Sequence, residues 1–249
     1  MGNINRFKVY MGKKRTIEVT LGDRLLMAIK FLMMHFYYRI DRFVIESASK
    51  MKKGRKLLDV GAGDGKHRRW FKHLRYESCD LVQNQTRSID YVGDFEKGIE
   101  GLKAVSYDYV LCIQVLEHTR NPSVVYRRIN ELLKPGGRLF LTTNFIYQMH
   151  MLPNDYYRFT EYGLKTLGEE SGFRVVSIKP QGGMFGVLAY LITTIPLRVG
   201  LDRMRWSYWL YLILFSPAVI VINLMGIVLD VIDKKKLLTI NYEVIYEKK

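Results

Sequence analysis

The segment LLDVGAGDGK sets Gly61, Gly63 and Gly65 at alternate positions behind Asp59. Glycine lacks a Cβ, so such a run can form a tight turn that lets a ligand approach the main chain, although a plain strand-to-helix turn would use the same residues. Nineteen residues after Gly61 stands Asp80, about where a doubly wound fold places an acid to accept both ribose hydroxyls of a nucleoside. The turn has neither the G-x-G-x-x-G spacing of dinucleotide sites nor the G-K-[ST] ending of a P-loop, which disfavours a pyrophosphate. Asp94, in YVGDFE, could accept a hydrogen bond from an adenine amino group while Phe95 lies against the ring; the competing reading of Asp94 is a solvated turn acid.

Such residues must be carried by strands that end together. Short apolar runs at 57–60 and 107–113, bounded by charges or glycines, suit buried parallel strands. The pattern predicts strand 57–60, helix 65–74, strands 76–82, 89–93 and 107–113, helix 122–133, strand 138–143, helix 160–171 and strands 173–179 and 238–247. Cys79 and Cys112 fall in core strands, so buried reduced thiols are expected rather than a disulfide, and no metal site is expected.

The chain has 249 residues, with 39 Lys and Arg against 24 Asp and Glu, a formal net charge of +15. That excess favours a polyanionic partner, either nucleic acid or an anionic membrane face. The N-terminus lacks the apolar core of a secretion signal, and Arg6 stands where a myristoylation motif requires Ser or Thr.

LLDVGAGDGK, CDL, VGDFE, YDYVLCIQVLEH and LLKPGGRLFLTTNF, in this order and spacing, resemble the class I S-adenosylmethionine-dependent methyltransferases, especially the type-11 branch. The resemblance covers residues 55 to 180 and the final strand. It implies an α/β doubly wound, seven-stranded sheet with the last strand antiparallel, and S-adenosyl-L-methionine across the carboxyl ends of the first strands. It implies that Asp59 helps hold the loop and the methionine amino group, and that Gly61, Ala62 and Gly63 pass close to the cofactor. Asp80, with Leu81 beside it, would take the ribose, Asp94 and Phe95 the adenine, and Gln114 would lie beside the methionine or methyl end. One departure is LVQNQTRSIDYVGD after Asp80, which has no clear helix before the next strand.

Transfer to a hydroxyl requires alignment and removal of a proton. Glu117 and His118 close VLEH after the fourth strand, and His150 lies in the loop after the fifth; each histidine reads either as the base or as a loop-binding side chain. Asp155, Tyr156, Tyr157 and Arg158 precede a helix with Thr160 as its N-cap. They read as a platform for the acceptor, Asp155 joining the histidines in catalysis, or as a helix entry in which Arg158 pairs with Asp155. The DYYRFT segment looks like that of type-11 methyltransferases linked to cell-surface glycan synthesis.

The composition shifts at 181–236. Gln181 to Leu197 and Trp206 to Leu229 carry no charge and are joined by RVGLDRMR. Trp206 to Leu229 is long enough to cross ~30 Å of hydrocarbon, but a segment between neighbouring strands of one sheet must leave and return on the same side, which excludes a single span. A helical hairpin dipping into one leaflet is expected, bent at Pro196 and Pro217; the alternative is two apolar helices packed on the catalytic domain or forming a dimer interface. Lys13 to Arg15, Lys52 to Lys56 and Lys234 to Lys236 would then meet anionic lipid.

Three parts are expected: an N-terminal segment 1–50, a catalytic domain 51–180 plus 237–249, and the insertion 181–236. The expected protein is a monotopic methyltransferase on the cytoplasmic face of a membrane, O-methylating a membrane-held acceptor such as a lipid-linked saccharide. Its rivals are a lipid or quinone methyltransferase, an RNA methyltransferase, for which no RNA-binding module is found, and a non-catalytic membrane scaffold.

Overall fold

The computed structural model describes residues 17–198 and 205–249. Within these the chain divides into two compact units, one built on Arg42–Lys179 and Tyr242–Lys249, the other on Val19–Asp41 and Pro180–Asn241.

The first unit is organised by a seven-stranded mixed sheet: β1 (Lys56–Val60), β2 (Arg75–Asp80), β3 (Tyr91–Val92), β4 (Tyr107–Ile113), β5 (Leu133–Asn144), β6 (Phe173–Gln181) and β7 (Asn241–Lys248), in the order β3-β2-β1-β4-β5-β7-β6. Strands β1 to β5 pair in parallel, with Val60 level with Cys79 and Cys112, and Cys112 level with Leu141. Their carboxyl ends therefore lie in one row. Helices α3 (Pro122–Leu132) and α4 (Glu161–Glu170) bury one face each, through Val125, Tyr126, Ile129 and Leu164. The Tyr126 and Tyr246 hydroxyls lie 2.9 Å apart in the core, and Tyr246 donates to the Leu164 carbonyl at 2.7 Å. Both cysteines are free and buried.

The main departures from the sequence expectation are these. Residues 65–74 form no α-helix but a single 3-10 turn, Arg68–Phe71: Gly65 is left-handed at φ +69°, and the short way to β2 is taken by burying Trp70 and Phe71. The strand expected at 89–93 shrinks to β3, because Gln83, Asn84 and Ser88 fold 81–90 into a polar loop. β5 begins at Leu133 instead of 138, with a register shift opposite Tyr107 and Tyr109 that absorbs the Pro-Gly-Gly run. β7 begins three residues later than expected, at Asn241.

In the second unit, α1 (Leu21–Met33) starts at a capping box between Thr20 and Asp23. It ends at Met33, where Asn223 donates to the Leu32 and Met33 carbonyls at 3.0 and 3.2 Å, and α2 (His35–Lys50) follows. Between β6 and β7 in the chain lie α5 (Met184–Arg198) and α6 (Arg205–Leu229), the latter with Pro217 inside it. The backbone N–H groups that open α5 are taken by two acids from beyond α6: Asp230 accepts from Gly183 at 2.7 Å and Gly186 at 3.0 Å, and Asp233 accepts from Met184 at 2.7 Å. No helix among the described residues is long and apolar enough to cross a membrane. Lys13 to Arg15 and the connector 199–204 lie outside the described residues, and α5 runs through Pro196.

Candidate functional site

The turn after β1 is made by Gly61 at φ +69° and Gly63 at φ +55°. Gly61 and Ala62 both donate to the Cys79 carbonyl, at 2.9 and 3.2 Å, which ties the turn to β2. A Cβ on Gly61 would meet Val115 Cγ2 at 2.3 Å, whereas one on Gly63 would meet nothing within 4 Å. Open space therefore lies beside Gly63, as a cradle for a bound group requires. Asp80, at the end of β2, accepts from Gly63 N at 2.7 Å and from its neighbour Leu81 N at 2.7 Å. Each carboxylate oxygen has a second lone pair for a ribose hydroxyl. The Leu81 side chain is largely exposed at 63%.

Asp59 points into the protein beside this turn. It is 1% exposed and accepts from the Tyr76 hydroxyl at 2.6 Å. Burial pushes its pKa up to about 7, with the Tyr76 hydrogen bond opposing the rise. A folded-state pKa above the unfolded one means that this group favours folding at low pH, and that the benefit is lost as pH rises from about 4 through about 7. The loss amounts to up to about 4 kcal/mol. The stability difference between the cofactor-free wild type and Asp59→Asn should therefore shift against the wild type across that window in denaturant titrations. A difference that is flat from pH 4 to 8 would contradict the assignment.

Asp94 is a turn acid in the structure. One oxygen accepts from Glu96 N at 3.0 Å and the other lies 3.4 Å from Lys97 Nζ. Phe95 packs partly buried against the core. Asn84, missed in the sequence, reaches back to the Gly63 carbonyl at 3.0 Å; the polar run QNQT was its only signal.

Gln114 follows β4 with φ +56°, an unusual backbone for a non-glycine residue, and donates to Thr142 Oγ1 at 3.0 Å. The next 3-10 turn, Leu116–His118, carries Glu117 and His118. Glu117 is fully buried and accepts from Thr143 Oγ1 at 2.7 Å and Asn144 Nδ2 at 2.8 Å, both at the end of β5; burial raises its pKa. Thr143 and Asn144 were not foreseen, though TTN closing an apolar strand was legible as polar residues bound for a buried site.

The loop after β5 brings His150 to His118, with Nε2 of each 3.1 Å from the other. Burial, helped by His118, lowers the His150 pKa. The Asp155 side chain has no exposed surface, accepts from His150 N at 2.9 Å and is gripped by both terminal nitrogens of Arg158 at 2.7 Å. Arg158 holds its carboxyl well below the usual carboxylate range, and the pairing of the two is the helix-entry contact that the sequence offered beside a catalytic role for Asp155. Arg158 also donates to the carbonyls of Tyr147, Tyr157 and Gln148. All five of its N–H groups are thus used inside the loop, so that Arg158 clamps the loop around Asp155. Tyr156 and Tyr157 remain on the surface at 37% and 41% exposure, and their hydroxyls engage Arg120 Nε and the Arg120 carbonyl.

A doubly wound sheet of this order, with a glycine turn after β1 and an acid closing β2, defines a class I S-adenosylmethionine-dependent methyltransferase. Residues 33–178, more than half of the chain, match the family described as methyltransferase domain, and the chain belongs to that family. Among curated proteins it is similar to the ubiquinone biosynthesis O-methyltransferases of Xanthomonas axonopodis pv. citri (strain 306), 31% identical over 110 residues covering 39% of this chain and 46% of that protein. The Citrobacter koseri counterpart is 30% identical over 104 residues, covering 36% and 43%. The chain thus spans less than half the length of the curated relatives it matches.

Two solved structures share the fold. Phosphoethanolamine N-methyltransferase 2 of Haemonchus contortus, in complex with S-adenosyl-L-methionine, aligns with a TM-score of 0.54 and 16% identity over 84% of this chain and 52% of that one. The 1,6-didemethyltoxoflavin-N1-methyltransferase of Burkholderia thailandensis, with S-adenosylhomocysteine, aligns with a TM-score of 0.52 and 15% identity over 97% and 99%. Family and fold together mark this chain as a methyltransferase domain of the S-adenosylmethionine-dependent class.

Proposed function

We propose that the enzyme methylates a hydroxyl oxygen of a membrane-held acceptor, such as the saccharide of a lipid-linked glycan, and belongs to the type-11 branch linked to cell-surface glycan synthesis. The observation that carries the reading is the pair of imidazoles, 3.1 Å apart at Nε2 and beside buried Glu117, at the carboxyl ends of β4 and β5. S-adenosylmethionine, when bound, would supply the sulfonium methyl for the acceptor oxygen. Asp80 and the glycine turn hold the nucleoside, Asp59 and Gln114 border the methionine end, and Asp94 with Phe95 border the adenine. The acceptor hydroxyl loses its proton beside the histidine pair, and Tyr156 and Tyr157 offer ring faces to a sugar.

Membrane attachment belongs to the same proposal. In the second unit Leu21, Leu25, Val231, Ile232 and Leu237 are 63–82% exposed, with Lys234 and Lys235 in the same stretch as the last three. Exposed apolar side chains beside lysines suit the cytoplasmic face of an anionic bilayer, with α5 and α6 as a hairpin dipping into one leaflet. A second reading, a quinone acceptor, is favoured by the similarity to ubiquinone O-methyltransferases.

The test is transfer of labelled methyl with purified protein and membranes from its own host, followed by organic extraction and mild acid hydrolysis. Label that enters the lipid phase and moves to water on hydrolysis is expected. Acid-stable lipid label would favour the quinone, and label confined to the aqueous phase throughout would sink the membrane-held acceptor.

A further inference from the structure

We propose that His118 Nε2, His150 Nε2 and the Glu117 carboxylate form a divalent transition-metal site, where the sequence suggested none. Ligand atoms from the three residues all lie within 4.8 Å of one another. His118 Nδ1 lies 2.6 Å from the Asn154 carbonyl oxygen, which can only accept. His150 Nδ1 lies 3.3 Å from the Gln148 carbonyl and 3.3 Å from Asp155 Oδ2, also acceptors. Both Nδ1 atoms therefore carry hydrogen, which leaves the Nε2 atoms of two neutral rings as lone-pair donors at 3.1 Å. Two such lone pairs repel unless they share a cation, either a proton or a metal ion.

Three features favour the metal. With metal–nitrogen bonds of ~2.05 Å, a separation of 3.1 Å corresponds to an angle at the metal of about 98°, between octahedral and tetrahedral values. A shared proton needs no third donor, yet Glu117 is buried beside the pair with only neutral side-chain partners, Thr143 and Asn144. Every ligand is also held from behind: Glu117 by those two residues, His118 by the Asn154 carbonyl, and His150 by Asp155, which Arg158 fixes in turn. Carboxylates and carbonyls behind metal-bound imidazoles orient the ring and set its tautomer. Two imidazoles and a carboxylate suit zinc or ferrous iron and leave a coordination position open. On the acceptor reading above, the acceptor hydroxyl fills that position and releases its proton to water at lower pH than a free hydroxyl does.

The experiment is titration of the full-length, chelator-treated protein with zinc and, separately, with cobalt, followed by metal analysis and visible absorption. One ion per chain is expected, with the absorption of a nitrogen-ligated cobalt centre. His118→Gln and His150→Gln should each weaken binding by about 100-fold or more, and Glu117→Gln, which can keep the Thr143 and Asn144 contacts, by at least about 10-fold. Far-UV circular dichroism and S-adenosylhomocysteine binding verify that each variant is folded. Substoichiometric metal in the wild type, or equal affinity in folded histidine variants, overturns the site and leaves a shared proton between the rings. Stoichiometric metal without label transfer to membranes keeps the site and removes the acceptor reading instead.

Discussion

Asp80→Ala is expected to weaken S-adenosylmethionine binding by about 10- to 100-fold, the loss of a charge-assisted hydrogen bond worth roughly 1.5–3 kcal/mol. The carboxylate does two jobs: it fixes the glycine turn through Gly63 N and Leu81 N, and it keeps acceptor lone pairs for the ribose. Calorimetric titration with cofactor or S-adenosylhomocysteine reads the effect, and a thermal melt without ligand separates binding from folding. Asp80→Asn refines the test, since an amide can still accept from one backbone N–H but replaces one acceptor oxygen by a donor. Unchanged affinity in the alanine variant would mean that the nucleoside lies elsewhere.

Gly61→Ala should be the most destabilising single-methyl change in the turn, by about 2–5 kcal/mol. The added Cβ would sit 2.3 Å from Val115 Cγ2, an overpacking that costs roughly 1–3 kcal/mol, on a backbone at φ +69° that adds about 1–2 kcal/mol for a residue with a Cβ. Gly63→Ala carries only the backbone cost, because nothing lies within 4 Å of its Cβ. Denaturant midpoints should thus rank wild type above Gly63→Ala above Gly61→Ala. Adding Val115→Ala to the last should restore part of the difference. Equal losses at the two glycines would show that Val115 does not crowd the turn.

The row of strand ends was legible in the sequence because buried parallel strands are continuous apolar runs, and Asp80 was found by its distance from Gly61. The glycine turn was legible by its absence of side chains, which is also what leaves open space beside Gly63. Other features hid because they depend on contacts between distant residues. His118 and His150 are 32 positions apart and meet only because β4 and β5 are neighbours in register. The Arg158 clamp was visible as one pair with Asp155, but its three carbonyl partners depend on the path of the loop. The stretch 81–90 lacks hydrophobic periodicity because side-chain amides and hydroxyls, in place of a helix, satisfy its backbone.

The caps on α5 carry an implication for how this chain could have arisen. The start of that helix is closed by Asp230 and Asp233, residues that come only after α6 has been passed. A truncation anywhere between the two ends leaves backbone donors open at the start of α5. Half of the segment is therefore of little use without the other half. Ancestors with a single added helix at this place would have needed a different cap, so gain or loss of the whole stretch in one genetic event is the simpler history.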